Sequence, residues 1–280
     1  MLTNEVGPVT STPKTRYTVP AVEKAFAILE LLVESPKGLR MVDVARELQL
    51  PKTSTFVTLR VLERLGYLNE VSDNRYCISL KLFELGAKGM VHTDLVGTAT
   101  RHLESLSART GHTTHLAVLD RAEVMYVAKV DAPGFVKFDT YVGKRAVAHV
   151  TAVGKAMLAQ LSSNELDPLL EGISFDRGTA KAAHSIHELR QVLSEIKSRG
   201  YAVDDEEEVQ GVRCIAAPIR SQSGLVVAAV GLIGLTSTLT DSFVPQIGAE
   251  VVEAARMIGT DLVNSRTADL VNSQRAVVFV

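Results

Sequence analysis

The chain has 280 residues, room for about two domains, and 46% of them are apolar, ample for real cores. A formal net charge of −2 excludes a polycation that coats nucleic acid by charge alone. The charge is uneven: residues 1–93 hold 12 Lys and Arg against 10 Asp and Glu, leaving 18 against 22 of the totals of 30 and 32 for the rest.

Residues 1–19 are polar, contain Pro8 and Pro13, and read as a mobile arm. In it Lys14 and Arg16 either enter a minor groove or belong to a plain tail. From Ala21 to Glu34, the spacing of Val22, Ala25, Phe26, Leu29, Leu32 and Val33 predicts an amphipathic helix. After Ser35-Pro36-Lys37-Gly38, a short helix from Met41 to Leu48 and a turn at Gln49-Leu50 lead to a second helix. That helix opens on Pro51 and runs to about Leu65, where Gly66 stops it. At 100° per residue Thr55, Leu59 and Leu62, with Phe56 and Leu65 at the edges, gather on one side, and Thr53, Val57, Arg60 and Arg64 on the other. An apolar inner face with an outer stripe of hydroxyl, methyl and guanidinium groups suits the DNA major groove. A hairpin follows, with its turn at Val71–Asn74 and Arg75 beside the tip, where a wing can lay that arginine along a phosphate. Helix, turn, helix and wing in this order predict a winged helix-turn-helix over residues 20–79, with Lys52, Thr53, Ser54, Val57, Arg60, Arg64 and Arg75 as its DNA-binding residues.

Residues 80–93 read as a linker helix, and Asp94 is placed to cap the next one, on which Leu95, Ala99, Leu103 and Leu106 share a face up to Gly111. From Thr113 the period becomes two. HLAVL and EVMYVAKV flank a hairpin turn at Asp120–Glu123, and GFVKFDTYV is expected to continue as a strand. Ala152–Leu161 turns helical, and capping boxes beginning at Ser162 and Ser185 announce two more helices, the second ended by Gly200. Strands are expected near Tyr201–Asp204, Val212–Arg220 and Leu225–Leu235, then a helix from Ser242 to Val263. Hairpin strands flanked by helices give an α+β domain with an antiparallel sheet over residues 94–265; residues 266–280 remain an unassigned tail.

Cys77 and Cys214 fit no disulfide framework or zinc spacing, which points to a reducing, cytoplasmic compartment. The N-terminus lacks a signal-peptide pattern, and the longest apolar run, Leu225–Leu235, is too short to span a bilayer, so no membrane partner is expected.

In the second domain the concentrated signals are HVTAVGK (His149–Lys155), the acidic run Asp204–Glu208 and GVRC (Gly211–Cys214). On a strand Asp204, Glu206 and Glu208 would share one face, as a solvated strand end or a functional cluster. Gly154 either leaves room for a carboxylate to approach backbone N–H groups or is a simple turn glycine. His149, Asp204 and Cys214 are the residue types a cysteine nucleophile needs, but Cys214 falls inside a strand pattern, and no catalytic residue is expected. His112/His115 and His184/His187 lack the neighbours of a metal site; no metal or cofactor is expected.

LQLPKTSTFVTLRVLERLGYL, SLKLFELG, GHTTHLAVLD, HVTAVGKAML and GYAVDDEEEVQGVRCIAAPIR follow one another in the order and spacing of the IclR-type transcriptional regulators, which the chain resembles from about Val19 to Val263. The resemblance implies a winged-helix domain, a linker helix and a GAF-like effector-binding domain, assembled as homodimers or homotetramers on double-stranded operator DNA. It also implies an effector pocket formed by Ala152, Val153, Gly154, Asp204, Cys214 and the following strand. Two serines usual on that strand are Gly231 and Ile233 here, so a more apolar wall and a larger, partly apolar carboxylic acid are expected. The arginine often found midway along the recognition helix is Val57 here, with Arg60 a turn later. A small-molecule-binding protein or cysteine-dependent enzyme that uses its winged helix for protein contact is the competing reading.

Overall fold

The computed structural model describes residues 18–90, 95–221 and 223–276, without the side chains of 87–90 and 264–276. Lys14, Arg16 and Asp94 lie outside the described residues. The chain forms two compact units, residues 1–92 and 93–280.

In the first unit α1 (Pro20–Val33) begins on a proline whose missing N–H needs no partner there. Then come β1 (Leu39–Arg40), α2 (Met41–Glu47), α3 (Lys52–Arg64), β2 (Leu68–Val71), β3 (Arg75–Ile78) and α4 (Leu80–Met90). Ile28, Leu32, Val44, Leu59, Leu62, Leu68 and Tyr76 form the core, so α1 backs the helix-turn-helix as its apolar spacing predicts. The sheet runs β1-β3-β2, antiparallel throughout. β1 is absent from the sequence reading, because two residues carry no periodicity; pairing with Arg75 and Tyr76 creates it. Gly38 makes that pairing possible. Its φ is +70°, and a Cβ there would come within 2.5 Å of Cys77 Sγ and 2.8 Å of the Tyr76 carbonyl.

The second unit contains α5 (Leu95–Thr110), β4 (Thr113–Asp120), β5 (Glu123–Val130), β6 (Arg145–Val147), α6 (Ala152–Leu158), α7 (Ser163–Leu170), α8 (Ile186–Arg199), β7 (Ala202–Asp205), β8 (Val212–Arg220), β9 (Val226–Leu235) and α9 (Val244–Ala276). Its antiparallel sheet has the order β6-β5-β4-β9-β8-β7. One face packs on α5 and α9 through Leu103, Leu106, Leu116, Ile215, Leu232, Val251 and Ile258. The other packs on α6 and α8 through Ala117, Tyr126, Met157, Leu193, Ala216 and Ile233. The result is the α+β architecture anticipated from the strand and helix order.

Two expectations fail here. The GFVKFDTYV stretch is a loop, not a strand: Phe138 packs against the core while Phe135 is fully exposed. The chain returns to the sheet edge only after Gly143, at φ +94°, so that three residues of β6 pair with β5. Pro133-Gly134 at the start of the stretch marks the break. The other concerns the C-terminus. The unassigned tail continues α9 as far as Ala276.

Candidate DNA interface and effector site

Pro51, extended at φ −60° and ψ 132°, caps α3 rather than opening it. The Ser54 and Thr55 hydroxyls both donate to its carbonyl at 3.0 Å. Thr55, Leu59 and Leu62 are buried, and Lys52, Thr53, Val57, Arg60 and Arg64 stand outward as the periodicity predicts. Phe56 is half exposed; with Val57, Arg60, Val61, Glu63 and Arg64 it lines a shallow outer groove.

Two arginines differ from expectation. Arg75 does not reach along the wing. Half-buried, it donates from Nη1 to the Gly38 carbonyl at 3.0 Å, because pairing with β1 brings that carbonyl within range. Arg60 is engaged by carboxylates, Glu63 Oε2 at 2.8 Å and Glu70 Oε2 at 3.0 Å. The Tyr76 hydroxyl and these two acids hold its pKa above the ordinary arginine value. The Glu63 contact, three residues along a helix, is readable from spacing; the Glu70 contact needs the hairpin folded.

In the second unit register sets the geometry. Asp204 pairs with Cys214, Cys214 with Ile233 and Ile233 with Thr113; two residues along, Ala202, Ala216, Gly231 and His115 form the next row. Both rows lie on the sheet face covered by α6, because side chains on a strand alternate. Ala152, Val153, Asp204, Cys214 and Ile233 are all buried, and the register brings Asp204, Cys214, Gly231 and Ile233 together on this face. A cavity of about 260 Å³ opens beside Ile233, between the start of β4 and the loop carrying Pro133 and Phe138.

The acidic run does not alternate as a strand. Glu206 has φ +63°, which turns its carboxylate out to Lys181 at 2.7 Å and to the Gly211 N–H at 2.7 Å. Asp204 Oδ1 accepts the N–H groups of Glu207 at 2.7 Å and Glu208 at 3.2 Å, curling those two inward. Glu207 receives the buried Lys155 ammonium, which also donates to the Val203 carbonyl at 2.8 Å. Asp204 and Glu207 thus face one buried cation, Lys155, while Glu208 has Lys144 as its nearby opposite charge. Burial raises the Asp204 pKa to about 7, with Lys155 pulling the other way, and burial also raises Glu207 and Glu208.

Both glycines of the expected site are occupied by neighbours. A Cβ on Gly154 would lie 2.1 Å from the Ala148 carbonyl, so this glycine serves close packing of α6 and leaves no space for a ligand. Its N–H goes to the Thr151 hydroxyl at 3.2 Å. A Cβ on Gly231 would come within 3.0 Å of His115 Nε2. The wall is therefore less apolar there than expected: an imidazole from β4 fills the place of a β9 side chain. His115 stands edge-on to Tyr126, ring centroids 5.0 Å apart, and burial lowers its pKa to about 4. Its Nδ1 and both nitrogens of His149, whose ring lies 5.0 Å from Phe175, have no hydrogen-bond partner among the described residues. In the sequence His115 is a candidate metal ligand with His112, and His149 a candidate catalytic base, and neither role is expected. Burial of an imidazole without a partner leaves no sequence trace.

Burial, then Asp204 and Glu208, raise the Cys214 thiol well above its ordinary range, the reverse of what a nucleophile needs. Among the described residues no group of three or more His, Cys, Asp or Glu is placed to hold a metal. His187 Nε2 contacts Gln191 and His184 Nε2 the Ala180 carbonyl, each at 3.2 Å. Among the described residues no helix is long and apolar enough to cross a membrane.

Comparison with known proteins agrees with this geometry. Residues 21–72 match the IclR helix-turn-helix domain, and residues 87–260 match the bacterial transcriptional regulator IclR C-terminal domain. The chain is 35% identical over 225 residues to the HTH-type transcriptional regulator XynR of Escherichia coli K12, covering 80% of this chain and 89% of that one. It is 30% identical over 246 residues to KdgR of the same organism, covering 88% and 93%. The crystal structure of the Thermotoga maritima IclR superposes with a TM-score of 0.75 at 29% identity, over 86% of this chain and 98% of that one. A winged helix-turn-helix followed by a six-stranded antiparallel α+β domain, matched along both parts, makes this chain a member of the IclR family of DNA-binding transcriptional regulators.

Proposed function

We propose that α3 enters the major groove of an operator through Lys52, Thr53, Ser54, Val57, Arg60 and Arg64, with Arg75 beside the wing's turn bracing the wing against β1, and that a small organic acid bound in the second unit controls the affinity. What carries the DNA reading is the division of α3 into a buried Thr55-Leu59-Leu62 face and an outward polar and cationic one. Phe26 and Val22 on α1 and Leu80 and Phe83 on α4 are exposed apolar residues of the same unit. They support a homodimer, or a tetramer of two dimers, with the two recognition helices on half-sites about one helical turn or more apart.

The effector site is read as Ala152, Val153, Asp204, Cys214, Gly231 and Ile233, with Gly154 holding α6 close rather than contacting ligand, entered beside Ile233. Asp204, with its pKa at about 7, can carry a proton and donate it to a carboxylate oxygen. Ile233, with Phe138 beside the cavity, suits an apolar body on the ligand. A protein of the same fold, 24% identical with a TM-score of 0.78, has been crystallised with 4-hydroxybenzoate and supplies a probe. The effector acts by binding the operator-competent and incompetent states unequally.

The test is anisotropy titration of duplexes spanning the DNA around the chain's own gene, at several salt concentrations. Arg64→Ala is expected to weaken binding at least tenfold and to lower the salt slope by about one phosphate. Unchanged binding removes the α3 assignment. In parallel, 4-hydroxybenzoate, benzoate, glyoxylate and pyruvate are titrated by calorimetry; tight glyoxylate or pyruvate binding with none of the aromatic acids overturns the apolar-bodied ligand.

A further inference from the structure

The guanidinium of Arg60 sits on the DNA-facing side of α3, yet its Nη1 is shared by two carboxylates. Glu63 is three residues along the same helix, whereas Glu70 comes from wing strand β2, ten residues away. Two acids on one cation, at the corner between α3 and the wing, leave the charge of this guanidinium fully engaged. A phosphate brought to that corner adds a third anion. A guanine edge does not: its O6 and N7 are neutral acceptors, and a guanidinium has five N–H donors, enough to serve the acids and a base together. Val57 and Val61 flank Arg60 in the same shallow groove, giving the base edge an apolar surround.

We propose that Glu63 and Glu70 gate Arg60, withholding it from phosphates at arbitrary sequences and leaving it free to join a guanine edge, so that the two acids set the operator specificity of this chain. The gate lowers binding to non-operator DNA more than binding to the operator. Specificity then arises partly from repulsion at wrong sites, not only from attraction at the right one. The pairing also fixes the guanidinium's orientation before DNA arrives, which reduces the ordering cost of a bidentate contact.

The inference rests on the reading that the outer face of α3 docks on DNA, and the experiment separates the two. A duplex selected from a random pool by the full-length protein and a scrambled duplex of the same length are titrated across a salt series. The proteins are wild type, Glu70→Gln, Glu63→Gln, Arg60→Ala, Arg64→Ala and the double variant Arg60→Ala/Glu70→Gln, each checked for an unchanged circular-dichroism spectrum. Glu70→Gln is expected to bind the scrambled duplex at least threefold tighter with a steeper salt slope, and Glu63→Gln to shift it the same way. Arg60→Ala should lose about tenfold on the selected duplex and nothing on the scrambled one. In the Arg60→Ala background, Glu70→Gln should bring no gain.

An equal gain with and without Arg60 overturns the gate, since removal of a negative charge then explains it. So does the absence of any gain, or an Arg60→Ala loss equal on both duplexes. If Arg64→Ala leaves both duplexes bound as in wild type, the α3 docking itself falls, and the gate with it.

Discussion

The Lys155 ammonium, buried in α6, meets the carboxylate of Glu207 in the acidic run. This one ion pair ties the helix that covers the proposed chamber to the strand end that supplies its acids. Removing one partner of a buried pair leaves the other unsolvated, which costs about 3–5 kcal/mol. Lys155→Met is therefore expected to lower the melting temperature of the second unit clearly, and Lys155→Met/Glu207→Gln to recover most of the loss. Differential scanning calorimetry checks both; equal destabilisation by the single and double variants contradicts the account.

Asp204 and His115 give the second unit opposing pH responses. Asp204, raised to about 7 in the fold, favours the folded state fully below the ordinary carboxylate pKa of 3.8, and that contribution is lost as pH climbs to 7. His115, lowered from 6.5 to about 4, contributes stability above 6.5 that disappears as pH falls towards 4. Between pH 4 and 6.5 the two slopes oppose. Relative to wild type, His115→Gln should make stability fall more steeply as pH rises, and Asp204→Asn should make it rise. Each amounts to about 3 kcal/mol across the window at the conversion of 1.36 kcal/mol per pKa unit. Urea melts at half-unit pH steps read the slopes; identical profiles for wild type and both variants would contradict the assignment.

Gly231 and His115 compete for one volume. Gly231→Ser places a Cβ within 3.0 Å of the imidazole and is expected to cost about 1–3 kcal/mol, as overpacking does. In a His115→Ala background the same serine should cost less, though Ala216 Cβ and the Ile215 carbonyl still stand at 3.1 Å, and the coupling in a double-mutant cycle measures the imidazole contact. Additivity of the two substitutions would mean that the ring moves aside freely.

Gly154→Ala tests the close approach of α6 to the preceding segment. The added methyl would lie 2.1 Å from the Ala148 carbonyl and 2.4 Å from its Cα, both backbone atoms that no rotamer change can move. Loss of the cooperative transition of the second unit is expected, with the winged helix still folded. A variant that melts within a degree of wild type shows that α6 can shift without harm.

In the first unit the helix-turn-helix was fully legible. Apolar residues three and four apart, a proline before α3 and a glycine after it are local signals, and local signals survive in a one-dimensional reading. β1 and the turned-back Arg75 were not, because both come from a two-residue pairing between distant positions, Leu39 with Tyr76 and Arg40 with Arg75. In the acidic run the strand alternation assumed for Asp204, Glu206 and Glu208 broke at a single left-handed residue. A non-glycine residue with positive φ is uncommon, and nothing in five consecutive acids singles out Glu206.

By itself the sequence determined the order of the helices and longer strands, the division into a winged helix and an α+β domain, the family, and the outward stripe of α3. Each is written in spacing along a single helix or strand or in contiguous motifs. Only the tertiary structure decided that Arg60 shares its charge with Glu70, that Glu207 and not Glu206 meets Lys155, and that His115 takes the space beside Gly231. Those outcomes depend on which strands become neighbours and how their backbones turn. Close packing, not local propensity, selects the partner of each buried group.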